Sequence, residues 1–402
     1  MKILILSNYF PPHFIGGYEL GCFDVVQGLK ARGHEVAVLT SNHGIAGQDK
    51  SDQVYRLLET DLALKIAGSS KDLFKLYKKE STNQRAFKRV CDEFSPDVLY
   101  VWNAKHISIS LALKAQERGI AVCYFVSDYW LNQWESDALY ALNLHSPQRA
   151  HRRLIRKAVV GSLNLTGLLP RGSLNLSHVQ FASGHLKQQA LAANRPVSNS
   201  DVIHWGVDVN QFQQNGNHDH PARLLYVGQL TELKGVHTAV EALKIIVEQP
   251  SQRSTMLTIV GGPDYESRVH RLVYSLGLEK NVQFTGLIPR GKLPSVYQAH
   301  DILLFPSIWE EPFSLTLLEA MASSLAVVGT TTGGSSEILR DEVNALIFPK
   351  EDPEACAEQV LRLLKSTELR KNLGDQGRRT VEEQFRLDQM VNRIDLVLKK
   401  VA

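Results

Sequence analysis

The sequence predicts an α/β protein with two Rossmann-like, doubly wound parallel-sheet domains, on the basis of three observations. The chain has 402 residues, more than one hydrophobic core usually organises. Short runs of Val, Ile and Leu without polar alternation recur in both halves, as in strands buried on both faces. Stretches with helical apolar spacing separate these runs, so strand and helix alternate. We expect the two domains to face a central cleft, because such sheets bind ligands at the carboxyl ends of their strands.

The predicted elements follow one another in the same order in both halves. Strands of the first half are predicted at 2–7, 34–40, 96–102 and 121–127. Strands of the second half are predicted at 223–228, 255–262, 281–286, 301–307, 325–330 and 344–349. Helices between the second-half strands are predicted at 236–249, 264–277 and 312–324.

These elements divide the chain into domains. We assign residues 1–208 to an N-terminal Rossmann-like domain and residues 222–385 to a C-terminal one. The polar stretch 209–221 has no apolar periodicity and is predicted to be the linker between them. The tail 386–402 has apolar residues at helical spacing, so we expect a helix packed near the domain junction.

Composition excludes several classes of protein. Hydrophobic residues make up 44% and charged residues 22% of the chain, which is typical of a folded globular protein. No apolar run approaches the length of a membrane-spanning helix. The four cysteines are far apart and form no Cys-x-x-Cys pair, which argues against a disulfide framework or a zinc ribbon. We therefore expect a cytoplasmic protein.

Charge is distributed unevenly along the chain. Residues 1–200 carry 24 Lys and Arg against 16 Asp and Glu, whereas residues 201–402 carry 21 against 26. The segment Arg149–Lys157 concentrates cationic residues on a predicted helix, which is either a solvated face or a contact with an anionic membrane surface. Aromatic residues that could stack on bases are missing from this segment, so nucleic acid is not an expected partner.

The most informative segment is 306–322, PSIWEEPFSLTLLEAMA. A strand is predicted to end just before it, and Pro312 suits the first turn of the helix that follows. Backbone N–H groups at a helix start have no intrahelical acceptor, and we expect those of Phe313, Ser314 and Leu315 here. Together with the helix dipole they form an anion site suited to a diphosphate.

Two glutamates flank this predicted anion site. Glu311 comes just before the helix and Glu319 lies eight residues later, roughly 10–12 Å further along at 1.5 Å per residue. Glu319 is expected to accept hydrogen bonds from a ribose diol, and Glu311 from hydroxyls of a donor sugar. The alternative is a first-turn acid at Glu311 and a solvated helix face at Glu319, although the neighbours of Glu319 are largely apolar.

Further candidates follow other predicted strands. Lys234, after the strand that ends at Gly228, is expected to hold a diphosphate, or else to be a solvated lysine. Asp128 either caps the backbone or orients an acceptor hydroxyl. Gly16 and Gly17 allow backbone amides to approach a ligand closely, unless they form a plain turn. The dinucleotide fingerprint Gly-x-Gly-x-x-Gly does not occur here, and no pattern typical of a metal site is present.

The segment EEPFSLTLLEAMA resembles the signature of the family-4 retaining glycosyltransferases of the GT-B fold, in which seven residues separate two glutamates. The resemblance covers nearly the whole chain. Segments that resemble the family in matching order are NYFPPHFIGGYELGCFDVVQGLKARGHEVAVLTS, LLYVGQLTELKGVHTAVEAL, LTIVGGPDYE, NVQFTGLIP and VVGTTTGGSSEIL.

The resemblance implies a transferase that moves a hexosyl group from a nucleoside-diphosphate sugar, here expected to be a UDP-sugar, to a hydroxyl acceptor. The acceptor could be a glycan in polysaccharide biosynthesis, a lipid-linked sugar or a small glycoside, bound on the side of the N-terminal domain. Neither a metal nor a further cofactor is expected. The expected catalytic residues are Glu311, Lys234 and Asp128. The expected nucleotide-sugar contacts are Gly16, Gly17, Gly228, Gln229, Lys234, Gly262, Leu287, Glu311, Phe313, Ser314, Leu315 and Glu319.

Three positions depart from the pattern of the family. Gln229 stands where the family usually has arginine, and Ser314 where glycine is common. Ser127 precedes Asp128 where the family often has histidine, a residue whose contact with the donor sugar is therefore in question. These losses keep open a non-catalytic nucleotide-sugar binder, and a nucleotide-sugar epimerase of GT-B shape is a further alternative.

Overall fold

The structure is a computed structural model that describes residues 1–13, 16–43, 53–60, 70–132, 150–168, 172–197, 199–213, 222–262 and 266–402. The chain divides into two compact units. Unit 1 comprises Met1–Ile203 and Val391–Ala402, and unit 2 comprises His204–Met390.

Unit 1 contains a parallel sheet of seven described strands. They are β1 (Lys2–Ser7), β2 (Glu35–Ser41), β3 (Val54–Leu58), β4 (Val98–Asn103), β5 (Ala121–Val126), β6 (Val179–Phe181) and β7 (Asp201–Val202). Their spatial order is β3-β2-β1-β4-β5-β6-β7, and Ile3 of the central β1 lies opposite Val36 on one side and Val98 on the other. The order changes direction between β1 and β4, which makes this position the topological switch point.

Helices pack on this sheet through apolar stripes. They are α1 (Gly17–Ala31), α2 (Ser70–Phe94), α3 (Ser110–Glu117), α4 (Ala150–Leu165) and α5 (Gly184–Ala192). Helix α1 buries Cys22, Val25 and Leu29 and begins where the Glu19 carboxylate accepts a hydrogen bond from the Gly16 N–H at 3.0 Å. This bond satisfies one of the amides that a helix start leaves without an intrahelical acceptor.

Unit 2 contains a second parallel sheet, of six strands in its described part. They are β8 (Leu224–Val227), β9 (Leu257–Val260), β10 (Val282–Gly286), β11 (Ile302–Phe305), β12 (Ala326–Gly329) and β13 (Leu346–Ile347). Their spatial order is β10-β9-β8-β11-β12-β13, so the switch point lies between β8 and β11.

The remaining helices surround this second sheet. They are α6 (Val236–Glu248), α7 (Glu266–Ser275), α8 (Leu293–Gln298), α9 (Leu315–Ala322), α10 (Pro353–Lys365), α11 (Thr367–Gln384) and α12 (Leu387–Val401). Helix α12 begins in unit 2 and continues into unit 1 from Val391. There Asp395 pairs with His34 of unit 1, whose Nε2 lies 2.8 Å from the Asp395 Oδ1.

The prediction of two doubly wound parallel sheets is confirmed, with one sheet in each unit. Strands β3, β6 and β7 were not predicted, because β3 has an alternating burial pattern and the other two contain only three and two residues. Unit 2 begins at His204, before the predicted linker 209–221. Two apolar residues near the start of that linker, Val207 and Phe212, are buried. Residues 214–221 of the predicted linker lie outside the described residues.

Candidate active site

Two of the predicted site residues of unit 2 meet at the switch point of its sheet. Lys234 follows β8 and Glu311 follows β11, the two strands between which the strand order changes direction. The Lys234 Nζ lies 2.6 Å from one carboxylate oxygen of Glu311 and 2.8 Å from the other. Ser307 donates a further hydrogen bond to the Glu311 Oε1 at 2.7 Å. Because Glu311 is only 3% exposed, its charge depends on these partners for compensation.

Lys234 is held in place by contacts with the loop that carries Glu311. The Trp309 N–H donates to the carbonyl oxygen of Leu233 at 3.0 Å. The Lys234 ammonium lies 4.6 Å from the centre of the Trp309 ring, within the range of a cation–π contact. Gly235 has a φ of 69° and lies against the Pro306 carbonyl, where any side chain would overlap it. The approach of the two loops therefore requires glycine directly after Lys234.

The chemistry of the Lys234 side chain leaves capacity for a ligand. An ammonium group has three N–H donors, and the two oxygens of Glu311 account for two of them. The side chain is 22% exposed, so it is accessible to solvent as well as paired. Lys234 can therefore contribute a hydrogen bond and positive charge to an anionic ligand without releasing Glu311.

A buried tyrosine supports the turn that precedes Lys234. The Tyr226 hydroxyl donates to the carbonyl oxygens of Gln229 at 3.0 Å and Lys234 at 3.4 Å. Burial raises the pKa of Tyr226, and the nearby charge of Glu311 raises it further, so the phenol stays a neutral donor. Gln229 itself is exposed.

A glycine turn packs against the other side of Glu311. The Gly334 N–H donates to the Glu311 carbonyl at 2.6 Å, and the Gly333 N–H donates to the Glu310 Oε2 at 2.8 Å. Gly333 has a φ of 55°, and a side chain there would overlap the backbone of Glu311. Thr330 donates to the Ser307 carbonyl at 2.6 Å, so the loop carrying Glu311 is fixed at both ends.

The helix after Glu311 starts later than predicted. It begins at Leu315, and its N-cap is Ser314, whose hydroxyl accepts a hydrogen bond from the Leu317 N–H at 3.3 Å. A capping hydroxyl accepts a hydrogen bond from an amide that has no intrahelical acceptor. The first such hydroxyl near this helix start belongs to Ser314, so the helix begins after it rather than near Pro312. Pro312 and Phe313 thus precede the helix, which corrects the expectation that Pro312 lies in its first turn. The anion site stays a prediction, and its place moves to the first amides after Ser314.

Glu319, the second predicted glutamate, lies inside this helix and is buried. It is 7% exposed, so the solvated helix face is excluded as an interpretation. Tyr297 donates a hydrogen bond to the Glu319 Oε2 at 2.9 Å. Burial and then the Glu319 charge raise the pKa of Tyr297, which keeps the tyrosine protonated as a donor. One carboxylate oxygen of Glu319 is thereby oriented from within unit 2.

The other candidates of unit 2 lie after neighbouring strands. Gly228 directly follows β8, and its N–H donates to the Val260 carbonyl at 3.0 Å. Gly262 lies two residues after β9, against the side chain of Leu287, which follows β10. Leu287 is 74% exposed and lies at the carboxyl edge of the sheet.

The candidates of unit 1 lie at the carboxyl ends of its own strands. Asp128 follows β5 and accepts hydrogen bonds from the Trp130 N–H and from the Asn103 side chain, both at 2.9 Å. Burial raises the pKa of Asp128, and the hydrogen bond from Trp130 and the charge of Lys105 oppose this effect. Asp128 thus accepts a backbone hydrogen bond, as a capping residue does, and a role toward an acceptor stays a prediction. Gly16 precedes α1 and donates to Glu19, and Gly17 is the first residue of that helix.

Sequence reasoning missed several residues that build this site. Trp309 and Tyr297 contact predicted residues that are distant in sequence, and no local pattern indicates such contacts. Ser307 contacts Glu311 only four residues away, but it was not singled out in the sequence. The glycine pair 333–334 did carry a signal, because adjacent glycines between a predicted strand and a polar stretch indicate close backbone packing.

The predicted cationic surface cannot be placed in the structure. Arg149 lies outside the described residues, as do the side chains of Arg152, Arg153 and Arg156, although α4 begins at Ala150. Within the described ranges, no helix is long and apolar enough to cross a membrane. In the same ranges, no group of three or more His, Cys, Asp or Glu side chains is placed to hold a metal ion.

Comparison with known families identifies the chain. Residues 15–211 match the model of Glycosyltransferase Family 4, and residues 208–380 match that of Glycosyl transferases group 1. The two matches overlap at 208–211 and together span residues 15–380. The chain belongs to the group 1, family 4 glycosyltransferases.

Several known proteins are similar to this glycosyltransferase over nearly its whole length. An uncharacterized glycosyltransferase of Methanocaldococcus jannaschii is 24% identical over 99% of this chain and 98% of its own length. Sucrose-phosphate synthase from Thermosynechococcus elongatus has a similar structure, with a TM-score of 0.74 and 21% identity over 99% of this chain and 98% of that one. HepE from Anabaena, solved with UDP and glucose, has a TM-score of 0.69 and 19% identity over the full length of both chains. The structural likenesses support the two-domain GT-B fold.

Proposed function

We propose that this glycosyltransferase is a metal-independent, retaining hexosyltransferase that moves a sugar from a UDP-sugar to a hydroxyl acceptor. The observation that supports this best is the Lys234–Glu311 pair at the switch point of unit 2, directly before a capped helix start. The Lys234 ammonium and the backbone amides of the helix start can bind a diphosphate, and the fixed Glu311 carboxylate can accept hydrogen bonds from sugar hydroxyls. UDP is the first nucleotide to test because HepE, of similar fold, was solved with UDP-glucose.

The proposed reaction balances without a separate catalytic base. The bond between the anomeric carbon and the diphosphate breaks, and the acceptor oxygen bonds to the same face of the anomeric carbon. The departing phosphate oxygen takes the proton of the acceptor hydroxyl. The protein then has two tasks, which are to align the acceptor with the donor and to stabilise the negative charge that develops on the leaving diphosphate.

The site residues divide these tasks by their chemistry. Lys234 and the first-turn amides at Leu315 stabilise the diphosphate charge. Glu311 accepts hydrogen bonds from donor-sugar hydroxyls, and its orientation is fixed by Lys234 and Ser307. Glu319, oriented by a tyrosine, accepts hydrogen bonds from the ribose diol of the nucleotide.

Nucleotide and sugar contacts beyond these residues follow from the strand ends. In this proposal Gly228, Gly262 and Leu287 line the nucleotide, with the exposed Leu287 side chain as an apolar contact for the base. Asp128 orients the acceptor hydroxyl from unit 1. No cofactor besides the nucleotide-sugar takes part.

A thermal-shift screen of UDP-, GDP- and ADP-sugars tests the proposal. A ligand at 100 times its dissociation constant stabilises the folded protein by about 2.7 kcal/mol. We expect the largest shift with a UDP-sugar. Binding without turnover in the presence of many acceptors would indicate a non-catalytic binder, and conversion of the donor into its epimer would indicate an epimerase.

Glu319→Ala is expected to weaken binding of UDP by about 1.5–3 kcal/mol, because it removes charge-assisted hydrogen bonds to the ribose. Titration calorimetry with UDP measures the loss directly. Glu358→Ala, on an exposed position of α10, is the matched control and is expected to leave the affinity unchanged. An unchanged UDP affinity in Glu319→Ala would contradict the ribose assignment.

The cationic segment Arg149–Lys157 supports a second proposal, that unit 1 associates peripherally with anionic membranes. Replacing Arg152, Arg153 and Arg156 with Glu is expected to abolish sedimentation with phosphatidylglycerol vesicles and to leave the thermal midpoint nearly unchanged. Lack of vesicle binding by the wild-type protein, or binding that does not respond to salt, would argue for a solvated face.

A further inference from the structure

Two aromatic rings pack against Phe313, which lies between Glu311 and the helix cap Ser314. Phe313 is 8% exposed and stacks on the His204 ring at 5.1 Å between ring centres, with an angle of 24°. Phe385 packs against Phe313 at 5.6 Å and meets His204 edge-on at 5.5 Å. The position of Phe313 is therefore set by two rings distant in sequence.

His204 also contacts the glycine turn on the other side of Glu311. Its Nε2 lies 2.8 Å from the Glu337 Oε2, and both side chains are about a quarter exposed, at 29% and 25%. Glu337 is the last residue of the turn Gly333–Glu337, whose first amides bond to the Glu310–Glu311 backbone and carboxylate. One imidazole thus contacts both chain segments that position Glu311.

The backbone around His204 is itself anchored. The Val207 N–H donates to the Phe385 carbonyl, and the Leu387 N–H donates to the Val207 carbonyl, both at 3.0 Å. Gly206 packs so closely on Arg386 that a side chain there would overlap its backbone. These bonds hold the segment that follows His204 against the segment that carries Phe385, and the imidazole ring itself contacts Phe385 and Glu337.

We propose that His204 is a positioning residue for the donor loop, defined as Ser307–Ser314, and that it acts through Phe313 and Glu337 without contacting substrate. The proposal rests on the proposed function only for its effect on donor binding. The claim that His204 restrains the donor loop does not depend on a nucleotide and applies to the nucleotide-free protein. The donor loop carries Glu311, so loss of the restraint lowers the fraction of molecules in which that carboxylate is in place.

Hydrogen–deuterium exchange on the nucleotide-free protein tests whether His204 restrains the donor loop. His204→Phe keeps a ring against Phe313 and removes the bond to Glu337, whereas Glu337→Leu keeps a similar side-chain volume and removes the acceptor for His204. Each variant is expected to speed amide exchange in peptides covering 307–317 by about two- to tenfold, the effect of one hydrogen bond. Glu342→Gln, which breaks the exposed ion pair with Arg362 in the same unit, is the control and is expected to leave these peptides unchanged.

Two outcomes would overturn the proposal. One is unchanged exchange at 307–317 in both variants, and the other is faster exchange throughout unit 2, which indicates a general loss of stability. With the UDP-sugar found by thermal shift, we expect His204→Phe to raise the donor KM by the same factor and to leave the acceptor KM unchanged. If no nucleotide-sugar binds the wild-type protein, the proposed function fails while the exchange experiment still decides the role of His204.

Discussion

Replacing Lys234 with alanine is expected to slow sugar transfer by two to three orders of magnitude. The variant loses the only full charge that we assign to the leaving diphosphate, and Gln229 offers an amide dipole where the family usually has arginine. Losing one such stabilising group costs on the order of 3–4 kcal/mol of barrier. The measurement is kcat/KM for the donor, from the release of UDP at saturating acceptor.

Lys280→Ala is a suitable control for this variant. Lys280 is exposed and precedes β10, so it lies at the amino end of a strand of the same sheet rather than at the carboxyl edge. We expect the control to retain wild-type turnover. A Lys234→Ala enzyme that works near the wild-type rate would show that the diphosphate charge is stabilised elsewhere. Gln229→Arg is expected to be tolerated, because the side chain is exposed.

The second large effect is expected at Glu311. Glu311→Ala removes a fixed acceptor for sugar hydroxyls and leaves the Lys234 ammonium without its partner at 2.6 Å. The activation barrier is therefore expected to rise by about 1.5–3 kcal/mol, and turnover to fall accordingly. The fall is expected mainly in kcat, since Glu319 and the helix amides still bind the nucleotide. Glu248→Ala, at an exposed position of α6 in the same unit, is the control and is expected to retain wild-type turnover.

A double-mutant cycle tests whether Lys234 and Glu311 act as one unit. Residues in direct contact usually show interaction energies of about 0.5–3 kcal/mol. We therefore expect the double variant Lys234→Ala/Glu311→Ala to lose less activity than the sum of the two single losses. Additive losses would mean that the ion pair is not formed in the enzyme that binds substrate.

Much of the fold followed from the sequence because the strands are buried on both faces. A strand such as β4, in which all six residues are buried, appears as an uninterrupted apolar run. The alternation of such runs with helical segments then implies parallel sheets. Short edge strands lack this property, which is why Asp201–Val202 and Val179–Phe181 escaped prediction.

The sequence predicts candidate site residues but not the contacts that the structure shows among them. Glu319 was recognisable because a carboxylate in an apolar helical segment requires partners, and Glu311 because it comes just before the predicted helix. The partners themselves depend on strand order, since Lys234 and Glu311 are 77 residues apart and meet only because β8 and β11 are neighbours. Tyr297, which donates to Glu319, has no sequence pattern that reveals its role.

The helix start shows how local chemistry changes a prediction by three residues. Both Pro312 and Ser314 are suited to a helix N-terminus, and the sequence contains both. The hydroxyl of Ser314 reaches the Leu317 amide, which fixes the cap at Ser314. A glycine at this position, as is common in the family, would provide no such hydroxyl. Ser314 therefore differs from the family's common glycine both in sequence and in the hydrogen bond that caps the helix.

The most direct test of the central claim is the stereochemistry of transfer in excess EDTA. Wild-type enzyme is incubated with the α-configured UDP-sugar found by thermal shift and an acceptor, and the anomeric signal of the product is followed by proton NMR. The account predicts an α-linked product, one UDP per bond formed, and a rate unaffected by EDTA. A β-linked product would contradict the retaining mechanism, and activity lost in EDTA and restored by magnesium or manganese would contradict metal independence.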